Sequence, residues 1–314
     1  MQSVKLGKSK LESSALAYGC MRIPGTWDPS EVTDANREAA YKAVHAAFEA
    51  GYTLFDTADL YCQGVAEELL GDVLADTNGM RDRIVIATKC GVRRGGDPNP
   101  DSPPRYDFSA KHIIESCEAS LNRMRVESID LYMLHRPDFL AAPEEVATAF
   151  QQLEVTGKVR HFGVSNFRPS LVRALQKYCP MPLIVNQIEL HAGFLDPLED
   201  GTLDLCMEKK MTPLAWSSLN RGIFGTGAPV PDDHPKADVL RETCRVMDEI
   251  GQKYDVGRDV IALAWLMKHP SKPIPIVGST NPERIKAAAE AAYLEISRDD
   301  WYRILIAARG KPLP

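Results

Sequence analysis

Eight short runs of β-branched and aliphatic residues recur along the chain, each followed by a longer segment whose apolar residues keep helical spacing. This alternation limits the fold more than any other feature. The runs cover residues 15–21, 53–56, 84–89, 129–135, 161–165, 183–187, 212–217 and 274–277. The helical segments between and after them cover 35–50, 66–76, 111–124, 144–156, 169–178, 202–210, 258–268 and 282–292, with extra helix over 238–254 and a last one over 299–308. Strand-then-helix units joined by right-handed crossovers close most naturally into a (β/α)8 TIM barrel, predicted here as one domain over 1–314. A doubly wound open sheet is weakened by the first strand-to-helix turn, Tyr18-Gly19-Cys20-Met21-Arg22, which has no G-x-G-x-x-G phosphate loop. Residues 4–14 are expected to form a small hairpin closing the barrel's bottom. Two long connections, 91–109 and 218–236, follow strand C-termini and are read as functional loops on the C-terminal face.

Composition narrows the partners. Lysine plus arginine number 37 and aspartate plus glutamate 43, a net charge of −6, which disfavours nucleic acid or an anionic membrane as the main partner. No apolar run reaches the roughly 18 residues of a membrane span, and the opening MQSVKLGKSKLESSALAYG lacks the apolar stretch of a secretion leader. A cytoplasmic protein is expected. The seven cysteines form no C-x-x-C pair, and their odd number argues for free thiols rather than a disulfide framework. His112 and Glu115 have an H-x-x-E spacing but no third ligand, so no metal is expected.

The chemistry lies where apolar strands end in polar residues. Asp56 ends the second run, Lys89 the third, His135 the fourth, Ser165 and Asn166 the fifth, Gln187 the sixth, and Trp216 with Ser217 the seventh. In a closed barrel these positions converge on one mouth, and Tyr61 lies on the loop above it. A phenol titrates ordinarily near pH 10, too high for easy proton donation at neutrality. A lysine ammonium beside Tyr61, held charged by Asp56, is expected to pull that value down and make the phenol a usable acid. His135 would orient a carbonyl from the other side. A site that can protonate an oxygen but carries no evident nucleophile suits carbonyl reduction, with hydride from a nicotinamide cofactor.

At these residues the chain resembles the aldo-keto reductase superfamily. The resemblance rests on FDTADLY, IVIATK, DLYMLHRPD, GKVRHFGVSNF, NQIEL and IVGSTNPERI, in order along nearly the whole chain. It implies a catalytic tetrad of Asp56, Tyr61, Lys89 and His135, with Tyr61 the general acid. It also implies that Ser165, Asn166 and Gln187 hold the nicotinamide carboxamide, that the ring stacks on Trp216, and that Ser217, Leu219 and Arg221 wrap the pyrophosphate. Gly19, Met21 and Arg22 would approach the nicotinamide and substrate from the first strand. Gly278, Ser279, Thr280 and Arg284 would form the adenosine-phosphate pocket, favouring NADPH over NADH. Two positions depart from the pattern: Gly278 stands where some branches carry lysine, and Ala288 where many carry asparagine. The expected function is NADPH-dependent reduction of a small aldehyde or ketone.

Two other readings compete with it. A cofactor-occupied regulatory subunit with little turnover would retain the same residues. A Schiff-base enzyme built on Lys89 would leave Trp216, Ser217, Thr280 and Arg284 without a role.

Overall fold

All eight expected strands hydrogen-bond in parallel in the computed structural model and close into a barrel. The structure describes residues 1–225 and 228–314. Two residues of the expected 218–236 loop, Thr226 and Gly227, therefore lie outside the described residues. The strands are β1 (Ala17–Gly19), β2 (Leu54–Asp56), β3 (Val85–Cys90), β4 (Ile129–Leu134), β5 (Val159–Ser165), β6 (Leu183–Glu189), β7 (Thr212–Trp216) and β8 (Ile274–Val277). β1 is shorter than the run that predicted it, because Cys20–Arg22 turn into a 3-10 helix. His135 stands one residue beyond the end of β4 rather than within it.

The surrounding helices include α1 (Asp34–Glu49), α2 (Val65–Asp76), α3 (Ala110–Met124), α4 (Pro143–Val155), α5 (Pro169–Tyr178), α6 (Thr202–Lys209), α7 (Ala237–Tyr254), α8 (Arg258–Met267), α9 (Pro282–Ala288) and α10 (Arg298–Arg309). Their starts carry local signals. Thr33 forms a reciprocal capping box with Asn36 at α1, and Ser109, Asn281 and Ser297 cap α3, α9 and α10. Pro143 and Pro169 occupy first-turn positions of α4 and α5, where a missing N–H costs nothing. The connection after β3 is not irregular throughout: Val92–Arg93 pairs with Arg105–Tyr106, and Arg93 bridges Asp97 and Asp107 at 2.8 Å each.

Inside the barrel the side chains of Ala17, Leu54, Val85, Ala87, Leu131, Met133, Val185, Leu214 and Ile274 form a continuous apolar plug. The expected hairpin is present, Ser3–Lys5 against Glu12–Ser14, and it seats Leu6 on that plug with no exposure at all. Gly7 follows with φ +57°, and a Cβ there would stand 2.6 Å from the Ile184 carbonyl oxygen. Only glycine lets the hairpin lie this close to the strands. The floor is thus shut by apolar contact, and the polar strand ends gather at the opposite face.

Candidate active site

Parallel registry fixes which strand ends meet. Ser165 pairs with Gln187 and Gly19 with Asp56, while Asp56 faces Ala87 and Lys89 faces Met133, so Lys89 and His135 each stand two residues further along than the register partner of the preceding strand's site residue. Lys89 is fully buried and Asp56 nearly so. The lysine Nζ donates to Asp56 Oδ1 at 2.8 Å and to the Thr57 carbonyl at 2.5 Å. Gln187 Nε2 donates to the same Asp56 oxygen at 2.7 Å. Burial works against the ammonium, but Asp56 and then Tyr61 outweigh it and keep Lys89 charged above its ordinary range. A charged Lys89 is a poor amine nucleophile, which speaks against the Schiff-base alternative.

Tyr61 opens the short helical turn Tyr61–Gly64 and is buried. Its ring stands edge-on to His135 with centroids 5.7 Å apart, and the Lys89 Nζ lies 5.0 Å from its centroid. The phenol departs from the sequence expectation in one respect. Lys89 does pull its pKa down, but burial pushes harder in the other direction, and the net shift is upward. Tyr61 therefore remains a protonated phenol through the neutral range. Its conjugate base is stabilised chiefly by the Lys89 ammonium and to a smaller degree by the Arg136 charge.

The backbone beyond Tyr61 is unusual. Cys62 and Gln63 adopt left-handed φ values of 46° and 53°, and Gly64 follows at 94°. This strained turn is braced from beneath. Arg123 of α3 packs against Gly64 so tightly that a Cβ there would meet its Cδ at 2.6 Å, and its Nε donates to buried Glu67 at 2.7 Å. Thr88 Oγ1 donates to the other Glu67 oxygen at 2.5 Å. Asp59 faces the same group of charges, with one carboxyl oxygen sealed and without a hydrogen-bond partner among the described residues.

His135 is held neutral. Burial lowers its pKa well below the usual imidazole range, and the charges of Lys89 and Arg136 act in the same direction. Its Nδ1 is buried and has no hydrogen-bond partner among the described residues. A neutral imidazole can donate one hydrogen bond to a carbonyl oxygen without competing for the phenol's proton.

A second chain of hydrogen bonds crosses the mouth. Ser165 Oγ donates to the Gln187 carbonyl at 3.0 Å, Asn166 Nδ2 donates to Ser165 Oγ at 2.8 Å, and Trp216 Nε1 donates to Asn166 Oδ1 at 2.9 Å. The indole is held in a fixed plane. Asn166 and Ser217 take left-handed backbone conformations, φ 60° and 58°, as the chain leaves β5 and β7. Leu219 is half-buried and Arg221 exposed, the latter also left-handed at φ 55°.

Four other candidates line the outer rim. Gly278 has open space where a Cβ would be, and Ser279, Thr280 and Arg284 follow it with Thr280 and Arg284 exposed. Gly19 sits tight against Ile276, 2.8 Å from a Cβ position, while Met21 and Arg22 are exposed on the 3-10 turn beyond it. The structure thus gathers Asp56, Tyr61, Lys89, His135, Gln187 and Trp216 closely and leaves Arg221, Thr280 and Arg284 at the surface.

Two residues at the mouth escaped the sequence reading. Trp27, still 54% exposed, stands edge-on to Tyr61 with centroids 6.3 Å apart. Arg136 lays its guanidinium 5.2 Å from the Trp216 ring centroid. Its position directly after His135 was the available signal. All seven cysteines are buried and unpaired, and burial raises the thiols of Cys62 and Cys90.

The profile of the Aldo/keto reductase family matches residues 15–308. The chain belongs to this family. An uncharacterized oxidoreductase of Bacillus subtilis, YcsN, is 38% identical over 100% of both chains. A protein of Novosphingobium aromaticivorans named 6-dehydroglucose reductase is 38% identical over 99% of this chain and 96% of its own. Among solved structures, the thermostable aldo-keto reductase Tm1743 superposes with a TM-score of 0.82 at 25% identity, over 98% of this chain and 100% of that one. This aldo-keto reductase is accordingly a nicotinamide-dependent carbonyl oxidoreductase built on a (β/α)8 barrel. Among its described residues no helix is long and apolar enough to cross a membrane.

Proposed function

We propose that the chain reduces a small aldehyde or ketone with NADPH, and that Tyr61 is the general acid. The observation that carries this reading is the buried phenol set between a neutral imidazole and a charged ammonium, with Asp56, itself held by Gln187, fixing the ammonium. The side chains around Trp216 fit a nicotinamide: the indole face is immobilised by Asn166, and Gln187 spends its amide N–H on Asp56 and keeps Oε1 to accept from a carboxamide. When bound, the reduced nicotinamide supplies a hydride to the carbonyl carbon.

The protein's own groups then do the rest. His135 donates to the carbonyl oxygen and holds it near the phenol. As negative charge grows on that oxygen, the Tyr61 proton moves to it, and the Lys89 ammonium stabilises the phenolate left behind. Asp56 keeps the ammonium charged throughout. Ser217, Leu219 and Arg221 are assigned to the pyrophosphate, with Gly19, Met21 and Arg22 at the substrate side. Gly278, Ser279, Thr280 and Arg284 are assigned to the adenosine end. The exposed guanidinium of Arg284 supports NADPH, because a ribose 2′-phosphate would meet it and a hydroxyl would not. One barrel domain over 1–314 and a cytoplasmic location complete the reading. Seven buried, unpaired thiols support a reducing compartment.

The test follows reduced-cofactor absorbance with NADPH and NADH across a carbonyl panel that includes a hexose oxidised at C6, since one relative carries that substrate class in its name. Carbonyl-dependent consumption of NADPH, lost in Tyr61→Phe, is the expected result. A variant that turns over as fast as the wild type removes Tyr61 from the mechanism.

A further inference from the structure

Arg136 is half-buried at the mouth, yet among the described residues it has no ion-pair or hydrogen-bond partner. Half-buried Arg94, on the loop after β3, shares that condition but is not among the charges that act on Tyr61 or His135, and other half-buried arginines of the barrel are matched. Arg123 is paired with Glu67, Arg93 with Asp97 and Asp107, and Arg81 with Asp130. An unpaired guanidinium held partly out of water has five N–H donors and a full charge to satisfy. The indole face of Trp216 meets only part of that demand.

The charges around the reacting position are unbalanced in the same sense. Lys89 is matched by Asp56 at 2.8 Å. The charges that act on His135 are those of Lys89 and Arg136, both positive. Those acting on Tyr61 are Lys89, Asp56 and Arg136. Subtracting the internal pair leaves Arg136 as the surplus charge beside the two groups that would hold a carbonyl oxygen. Its guanidinium stands over the Trp216 ring and its charge reaches both His135 and Tyr61, so the atoms adjoining a carbonyl held by those two groups come within its field.

We propose that Arg136 is the specificity residue of this site and selects carbonyl compounds that carry an oxygen acceptor, a hydroxyl or a carboxylate, next to the reacting carbon. The inference rests on the carbonyl-reductase reading and adds the substrate class to it. The guanidinium donates to the neighbouring oxygen while His135 and Tyr61 hold the carbonyl. Trp27, edge-on to Tyr61 and half open to solvent, supplies an aromatic wall for the carbon skeleton.

The experiment compares propanal, glyceraldehyde and glyoxylate as substrates of the wild type, Arg136→Ala and Arg136→Lys, with the NADPH Kd of each protein measured by fluorescence. Hydrogen bonds from a charged donor are strong enough for the ratio of kcat/KM for glyceraldehyde over propanal to fall about 10- to 100-fold in Arg136→Ala. The glyoxylate ratio should fall further if the acceptor is anionic, and equally if a hydroxyl suffices. Arg136→Lys, which keeps the charge without the fork, should recover part of both ratios. Losses that are the same for all three compounds overturn the proposal and leave carbonyl reduction standing. A change in NADPH Kd as large as the change in selectivity also overturns it, because the guanidinium then serves the cofactor. A wild type that reduces no carbonyl with NADPH overturns the functional reading itself.

Discussion

Lys89 and Gln187 converge on a single oxygen of Asp56, at 2.8 and 2.7 Å from opposite sides of the barrel mouth. That oxygen is therefore occupied by protein donors, and through it the carboxylate holds two neighbours in place.

Removing the cation from this arrangement should be costly. In Lys89→Met, Asp56 is left as a buried charge with only an amide donor, a change worth about 3–5 kcal/mol of stability. Urea unfolding should show that loss. The double variant Asp56→Asn with Lys89→Met should be less destabilised than Lys89→Met alone, and additive losses would contradict the coupling.

Tyr61→Phe deletes the proton donor but keeps the ring that packs on His135 and Trp27. Reduction should slow about 100- to 10,000-fold, with NADPH affinity retained. Since burial raises the phenol despite Lys89, the wild-type rate should show no basic limb assignable to Tyr61 below about pH 10. A limb near neutrality that disappears in Tyr61→Phe would contradict the direction of that shift.

Asp59 supplies a stability signal separate from catalysis. Burial, reinforced by Glu67, raises its carboxyl from 3.8 to about 8. The unfolded chain loses this proton first, so the contribution is complete below 3.8, declines as pH rises, and is gone above about 8. Asp59→Asn cannot ionise. It should be more stable than the wild type at pH 8, with the gap closing toward pH 4, when unfolding is followed across that range. A gap that widens in acid would reverse the sign.

Arg284→Ala should discriminate between the two nicotinamide dinucleotides. KM for NADPH should rise about 10- to 100-fold, the loss of a charge-assisted contact, and KM for NADH should barely move. Equal changes for both would place Arg284 outside the phosphate pocket.

The barrel was legible because burial on both faces forces parallel strands to read as unbroken apolar runs, and because each run ends where the polar mouth begins. The strand-end reading brought Asp56, Lys89, His135 and Gln187 to one mouth, and the contacts of Lys89 and Gln187 with Asp56 and of Tyr61 with His135 and Lys89 join them there. What could not be read was the degree of enclosure. The sign of the Tyr61 shift depends on how completely the ring is covered by His135 and Trp27, and those residues lie 74 and 34 positions away in the chain. Arg136 was hidden for a related reason. Its lack of a partner is a property of what surrounds it in space, and adjacency to His135 says nothing about that. The Asp59, Glu67 and Arg123 group was equally opaque, since it joins one loop to two helices through contacts that only closure creates.

The stoppered floor has a kinetic corollary. With Leu6 sealing one end, everything that reaches Lys89 enters and departs through a single doorway, and visitors must queue. Access to the reacting groups is thereby one-sided by construction, a property set in part by a turn at the far end of the barrel.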